Sequence, residues 1–330
     1  MSWAHLPGDW ARELDATVPE ARRLMACVWG GGDVAAMKRP ARRSVAERLS
    51  VPSLPGVLER IADDDGGLRY LFALEDGAVV EAVRIPLEKP GRFTVCLSSQ
   101  VGCAMGCAFC ATGQLGLTRN LSAAEILGTF RVLREEAPGR VTGAVFMGQG
   151  EPLHNYDAVI RAASVLSHPC GGRLAAKSIS ISTVGLVPQI RRFVAEGHAF
   201  RLVVSLTSAV QSRREELLPV AGRWSLEELA SALGDLHEAR GRRQTLAWVL
   251  LGGVNDGLDE VEALQAVFGD LPVRINLIDV NSPEFRRSTD SERDRFFDWL
   301  QVLNSPIVRR YSVGAGQRSA CGMLTSSRCR

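Results

Sequence analysis

Three cysteines stand within eight residues, Cys103-Ala-Met-Gly-Cys107-Ala-Phe-Cys110, in the spacing CxxxCxxC. Thiolates gathered on a short glycine-containing loop are soft ligands, and three of them suit a four-iron cluster with one iron left open. Zinc is the alternative, but a structural zinc site takes a fourth protein ligand and typically two CxxC pairs. Unliganded core cysteines fit poorly with a loop this dense in sulfur. Further along, Met147-Gly148-Gln149-Gly150-Glu151-Pro152 is a glycine-rich turn. Glycines let the backbone approach a ligand closely, and Glu151 could accept hydrogen bonds from an ammonium group. Such a turn is weak by itself and is more often only a turn. Ser182 and Ser205 have the chemistry to bind ribose or carboxylate, and Asn281 to meet adenine. Each alone reads equally as a strand-end cap or turn residue.

The surrounding sequence predicts how these residues are positioned. Apolar spacing predicts a helix over 11–29, stopped by Gly30-Gly31-Gly32. A basic run follows, Lys38-Arg39-Pro40-Ala41-Arg42-Arg43, and Pro52 to Pro55 mark a junction. Alternating runs at 68–74 and 78–85, joined by Glu75-Asp76-Gly77, predict a hairpin. From about Phe93, β-branched runs at 94–99, 143–148, 177–183, 201–206, 245–251, 274–280 and 307–313 alternate with amphipathic runs. The latter lie near 122–135, 156–167, 187–196, 225–240, 259–268 and 291–303. Strand–helix alternation repeated six times implies parallel strands with right-handed crossovers, an α/β fold of partial (β/α)6-barrel type. Functional residues then belong at the C-terminal ends of the strands. Three regions are expected: a helical accessory region at 1–55, a β-hairpin linker at 56–92 and the barrel at 93–330.

Composition narrows the function classes. Of 330 residues, 46% are hydrophobic and 23% charged, an ordinary globular profile that excludes wholesale disorder. No stretch approaches the ~18 consecutive apolar residues of a membrane helix. The start, MSWAHLPGDWAREL, lacks a basic segment followed by an apolar core, so no secretory leader and a cytoplasmic location are expected. A net charge of +2 neither points to nor excludes a polyanionic partner. Lys38, Lys89 and Lys177 are the only lysines among 39 cationic residues. Coding bias explains that, and so does recognition of phosphate by guanidinium groups. Eight cysteines in such a chain point to metal or redox chemistry rather than a disulfide framework. Cys27, Cys170 and Cys329 match no motif, and His154 and His198 read as polar loop residues.

The CxxxCxxC spacing, with Phe109 before its last cysteine, resembles the signature of radical S-adenosylmethionine (SAM) enzymes. The resemblance narrows with VCLSSQVGCAMGCAFCATGQLGLTRNLSAAEI (95–126) and FMGQGEPLHNYDAV (146–159), which are similar to the RlmN/Cfr family of radical SAM RNA methyltransferases. SISTVGLVPQI (180–190), VNDGLDEV (254–261), INLIDVN (275–281) and ACGML (320–324) continue it in family order. The N-terminal part is similar more loosely, through EARRLMACVW and SVAERL.

The resemblance implies a [4Fe-4S] cluster on Cys103, Cys107 and Cys110, whose open iron binds the amino and carboxylate groups of SAM. It implies SAM contacts from Gly150, Glu151, Ser182, Ser205, Leu206, Thr207 and Asn281. Two SAM molecules serve each methylation. One methylates Cys321 by displacement; the other is reductively cleaved to a 5′-deoxyadenosyl radical, which takes hydrogen from methylated Cys321. That carbon adds to C2 or C8 of an adenine in large-subunit rRNA or tRNA. Cys96, seven residues before Cys103, then attacks the sulfur and resolves the adduct as a disulfide, and Glu81 accepts the proton. A flavodoxin- or ferredoxin-type reductant, a monomeric state and no membrane association go with this picture. The chemistry is coherent: an adenine amidine carbon is not nucleophilic, so polar methylation by SAM cannot reach it, whereas a carbon radical can. Apart from the resemblance, Cys96 reads as an inward core cysteine, Cys321 as an inert thiol and Glu81 as an exposed strand glutamate.

Three departures fall where substrate would lie. Thr207-Ser208 follows Ser205-Leu206 where the family has His-Ala. The run Gly316-Gln317-Arg318-Ser319-Ala320-Cys321-Gly322-Met323 lacks the family's acidic approach and the Gln after Cys-Gly. Asp279-Val280-Asn281 replaces Pro-Trp-Asn. An RNA substrate predicts a basic surface from Lys38, Arg39, Arg42, Arg43 and Arg119. One alternative keeps the two-cysteine mechanism on a small metabolite or peptide in natural-product biosynthesis. Another is a non-catalytic iron–sulfur RNA-binding protein or redox sensor.

Overall fold

The computed structural model describes residues 4–32, 53–310 and 323. Cys321, Cys329, Lys38, Arg39, Arg42 and Arg43 lie outside the described residues. The chain opens with two helices, α1 (Pro7–Leu14) and α2 (Val18–Trp29), where one helix over 11–29 was expected. The break has a local cause. Asp15 adopts a left-handed conformation, φ 48°, which ends α1. Thr17 then starts α2, its backbone N–H bonded to the Glu20 carboxylate at 3.1 Å, and Pro19 sits in the first turn. The buried faces of both helices join the main core: Trp29 meets Phe130 with ring centroids 6.3 Å apart, and Arg161 reaches Asp9 at 2.6 Å.

Three antiparallel strands follow, β1 (Gly56–Ala62), β2 (Leu68–Ala73) and β3 (Val79–Pro86). Only β2 and β3 were expected. β1 is a largely exposed edge strand, so its sequence carries little alternation; Arg60 on it pairs with Glu136 at 2.5 Å. β3 pairs antiparallel with β4 (Arg92–Cys96), placing Val83 opposite Cys96. The hairpin is thereby continuous with the barrel sheet.

From β4 every step along the main sheet is parallel. The strands are β7 (Arg140–Phe146), β8 (Ile179–Thr183), β9 (Arg201–Ser205), β10 (Gln244–Leu250), β11 (Val273–Asp279) and β12 (Ile307–Arg310). They lie side by side in chain order, and the sheet stays open. Helices α4 (Ala123–Glu135), α5 (Tyr156–Ser167), α6 (Val187–Ala195), α8 (Leu226–Arg240), α9 (Leu258–Phe268) and α10 (Asp290–Leu300) fill the crossovers. A short α7 (Gln211–Leu217) precedes α8. The partial α/β barrel expected from the sequence is the observed architecture. Its core includes Phe130, Phe146, Phe193, Trp248 and Phe296, each almost fully buried and each contributing roughly 1.5–3 kcal/mol. Among the described residues, no helix is long and apolar enough to cross a membrane.

Between β4 and α4 lies a small second sheet, β5 (Gln100–Gly102) with β6 (Leu117–Asn120), and a four-residue helix α3 (Ala111–Gln114). It forms the neck of the cysteine loop. Gly102 has φ +76°, and a Cβ there would lie 2.0 Å from the Gly116 carbonyl, so only glycine permits the two chains to close. The Cys103 N–H donates to that carbonyl at 2.8 Å.

Candidate active site

The C-terminal ends of the parallel strands surround a cavity of about 360 Å³. β4 contributes Cys96; the loop beyond it contributes Cys103, Cys107 and Cys110. Gly150 and Glu151 follow β7, Ser182 is the penultimate residue of β8, Ser205 ends β9, and Asn281 follows β11. These nine residues, scattered over 186 positions of sequence from 96 to 281, line one space.

Two buried polar networks hold this floor. Ser98 donates to the Glu81 carbonyl at 2.5 Å and accepts from the Gln149 N–H at 2.9 Å, fastening the glycine turn to β3. Gln100 accepts from the Glu151 N–H at 2.9 Å and donates to Asn120 at 2.7 Å, fastening that turn to the cysteine-loop neck. Gly150 has φ +100°, and a Cβ would lie 2.6 Å from the Gln100 Cβ, so backbone is brought where no side chain fits. The Glu151 carboxylate accepts N–H groups from Leu153 and Val184, each at 2.9 Å. Burial nevertheless pushes its pKa up to about 7. A carboxylate held in place and short of positive charge is suited to receive an ammonium group.

The cysteines are likewise short of positive charge. Burial, with Glu151 and Cys110 nearby, raises Cys103 to about 12, and burial with the other two cysteines raises Cys107 well above the ordinary thiol value. Thiolates there require a cation, which bound iron would supply. Among the described residues, no three His, Cys, Asp or Glu side chains converge on a point where a lone ion would sit. The donor set that does line the cavity is three thiols on one loop, and this fits a cluster taking one thiolate per iron.

Three expected residues sit elsewhere. Leu206 and Thr207 are fully buried and do not line the cavity. Thr207 is held at φ +61°, unusual for a β-branched residue, and its carbonyl accepts from Asn255 at 2.6 Å. Ser208 donates to fully buried Glu260 at 2.6 Å, so the departure at Thr207-Ser208 is built into the loop's own packing. Glu81 is fully buried beside Arg69, 3.3 Å away, rather than exposed, and burial raises its carboxyl to about 7. It shares a face of β3 with Val83 and Ile85, which line the cavity. Cys96 is 6% exposed, with Val83, Ile85, Val145 and Met147 around it. Arg119 is not a spare cation, since it pairs with Asp76 at 2.6 Å and Glu125 at 2.8 Å.

Sequence reasoning missed two residues. Asn276 on β11 is 4% exposed and lines the cavity, and its Oδ1 has no hydrogen-bond partner among the described residues. Arg214 on α7 is 2% exposed and donates to the carbonyls of Val184, Ser205 and Leu206. The only available signal was polarity at positions that the folded strands and helix turn inward.

Residues 97–264 match the radical SAM superfamily. A protein of Anaeromyxobacter sp. (strain Fw109-5) named a probable RNA methyltransferase is 46% identical, over 96% of each chain. The dual-specificity RNA methyltransferase RlmN of Geobacter sulfurreducens is 39% identical over 87% of this chain and 79% of its own. The crystal structure of a radical SAM methyltransferase from Sphaerobacter thermophilus is 33% identical, covers 98% of both chains and superposes with a TM-score of 0.88. With the cysteine loop and the strand-end cavity already in place, these likenesses show that the chain belongs to the RlmN/Cfr family of radical SAM RNA methyltransferases.

Proposed function

We propose that this radical SAM methyltransferase acts on an adenine carbon, C2 or C8, of rRNA or tRNA. In this reading Cys321 carries the methyl group and Cys96 resolves the adduct. The observation that carries the proposal is the position of Cys96. Its thiol belongs to the same cavity wall as Cys103, Cys107, Cys110 and Glu151.

Cys103, Cys107 and Cys110 would hold a [4Fe-4S] cluster, and Glu151, Gly150, Ser182, Ser205 and Asn281 would hold SAM, with Leu206 and Thr207 shaping the wall behind. When bound, the cluster supplies the electron that cleaves SAM to a 5′-deoxyadenosyl radical. The chain's own residues do the rest. Cys321 accepts a methyl from one SAM and presents it; the use of a second SAM for the radical makes two per turnover. Once the adenine carbon is bonded to the methyl-derived carbon, the adduct gives up one electron to the oxidised form of the external donor, and its ring hydrogen leaves as a proton. The Cys96 thiolate then attacks the Cys321 sulfur, and an S–S bond forms as the C–S bond breaks. The released carbon takes a proton to complete the methyl group, and two electrons from the external donor later reduce the disulfide. Glu81, raised to about 7 on the face of β3 that it shares with Val83 and Ile85, is matched to take up a proton near neutrality. A low-potential flavodoxin- or ferredoxin-type donor supplies electrons, and the chain works as a cytoplasmic monomer.

The test is incubation of the reconstituted protein with SAM bearing a deuterated methyl, reductant, and rRNA or tRNA transcripts, followed by mass spectrometry of the nucleosides. Labelled 2-methyladenosine or 8-methyladenosine is expected. Methylation confined to a nucleobase heteroatom, or to a peptide or metabolite in a cell extract, would contradict the proposal.

A further inference from the structure

Helix α7 joins the cysteine loop to the strand ends that surround the proposed SAM site. At its C-terminus the Leu217 carbonyl accepts the Ala108 N–H at 3.0 Å, inside the CxxxCxxC motif. Three residues earlier Arg214 points inward. It donates to the Val184 carbonyl at 2.6 Å beyond β8, to the Ser205 carbonyl at 3.1 Å ending β9, and to Leu206. A guanidinium is the group that can satisfy three carbonyls at once, because its donors form a rigid fork.

The arrangement leaves a charge uncompensated. Arg214 is 2% exposed, and among the described residues no carboxylate pairs with it. Its immediate neighbour Arg213 is conventional by contrast, partly exposed and paired with Asp259 at 2.9 Å and Glu260 at 2.6 Å. Carbonyl dipoles stabilise the buried charge without neutralising it, and burial pulls the Arg214 pKa down to about 10. Among the described residues, Cys107 as a thiolate offsets that fall. A buried cation without a counter-charge is costly, so its counter-charge is expected to arrive with the anionic occupant of the site.

We infer that Arg214 is a positioning residue whose buried positive charge favours electron uptake at the cysteine loop while its fork fixes the ends of β8 and β9. The inference rests on the cluster-holding role proposed for Cys103, Cys107 and Cys110. The step concerned moves one electron from an external one-electron reductant to the cluster; the reductant is oxidised, and no proton or bond is transferred. Added negative charge is stabilised by a nearby buried cation, and at an effective dielectric of about 20 a unit charge even about 12 Å away is worth roughly a tenfold change in equilibrium.

The test is a dithionite-poised titration of the reconstituted full-length protein, read by the electron paramagnetic resonance signal of the reduced cluster. At an ambient potential equal to the wild-type midpoint, Arg214→Gln is expected to show a roughly tenfold lower ratio of reduced to oxidised cluster. Arg214→Lys, which keeps the charge and loses the fork, and Arg213→Gln, which removes a charge already paired, are expected to stay at the wild-type ratio. An unchanged ratio in Arg214→Gln, or an equal fall in Arg214→Lys, overturns the inference. Should Arg214→Gln fail to retain the cluster, Arg214→Lys titrated from about pH 7 to about pH 10 decides: a ratio that falls as the buried lysine loses its charge supports the inference, and a ratio that stays constant contradicts it. A wild-type protein that never acquires the signal contradicts the cluster-holding role itself, a distinct result.

Discussion

Glu151 and Arg214 grip the two ends of one residue. The Glu151 carboxylate accepts the Val184 N–H at 2.9 Å, and the Arg214 guanidinium donates to the Val184 carbonyl at 2.6 Å. An acid from the β7 turn and a base from α7 thus meet at the end of β8 without pairing with each other. Glu151 lines the cavity, and Arg214 is buried with no carboxylate partner among the described residues.

This placement makes ligand binding depend on pH. With its pKa raised to about 7, Glu151 is largely protonated below neutrality in the empty site. An N–H donor on the ligand favours the carboxylate, so binding releases a proton. Affinity for SAM therefore rises with pH up to about 7 and levels off above it, changing by about tenfold per pH unit on the acid side. Equilibrium dialysis with labelled SAM between pH 5.5 and 8 checks this. Glu151→Gln should bind weakly and lose the slope; a slope retained in that variant would assign it to another group.

Removing the resolving thiol should trap the reaction. Cys96→Ala leaves the Cys321 adduct without its attacking sulfur, so a protein–RNA species should persist through a denaturing gel while methylated product falls by at least about a hundredfold. Normal turnover in this variant would show that Cys96 is only a wall residue.

The glycine turn has no room for a side chain. Gly150→Ala places a methyl against Gln100 and forces a non-glycine residue to φ near +100°. It should cost about 1–3 kcal/mol in urea-induced unfolding and weaken SAM binding by displacing Glu151. Gly8→Ala, where nothing lies within 4 Å, is the control and should change stability little.

The N-terminal helices should unfold with the barrel, not before it. Trp29 is 6% exposed and packs beside Phe130 of α4. Trp29→Ala should cost about 3–5 kcal/mol of the whole transition. An early transition confined to the helices, with the barrel midpoint unmoved, would contradict this.

The barrel and the placement of the cavity residues were legible because both are written locally. Seven β-branched runs alternate with amphipathic ones, and Cys96, Ser182 and Ser205 sit at or beside the last residue of their strands. The rest depends on contacts far apart in sequence. Asp15 and Thr17 split the first helix through a left-handed cap and a capping box that hydrophobic spacing does not register. β1 carries no clear alternation because both its faces are largely open. Glu81 reads as an exposed glutamate on a hairpin until Arg69 and the β4 pairing enclose it. Arg214 is one of many arginines in the sequence, and only the fold turns it onto three carbonyls.

The central claim is that a methyl group passes through Cys321. Protein produced with functional cluster assembly and digested for peptide mass spectrometry tests it most directly. The account predicts a methyl on Cys321, absent from Cys321→Ala and absent when the three loop cysteines are replaced. A reconstituted wild-type protein that never carries that methyl after exposure to SAM and reductant would contradict it.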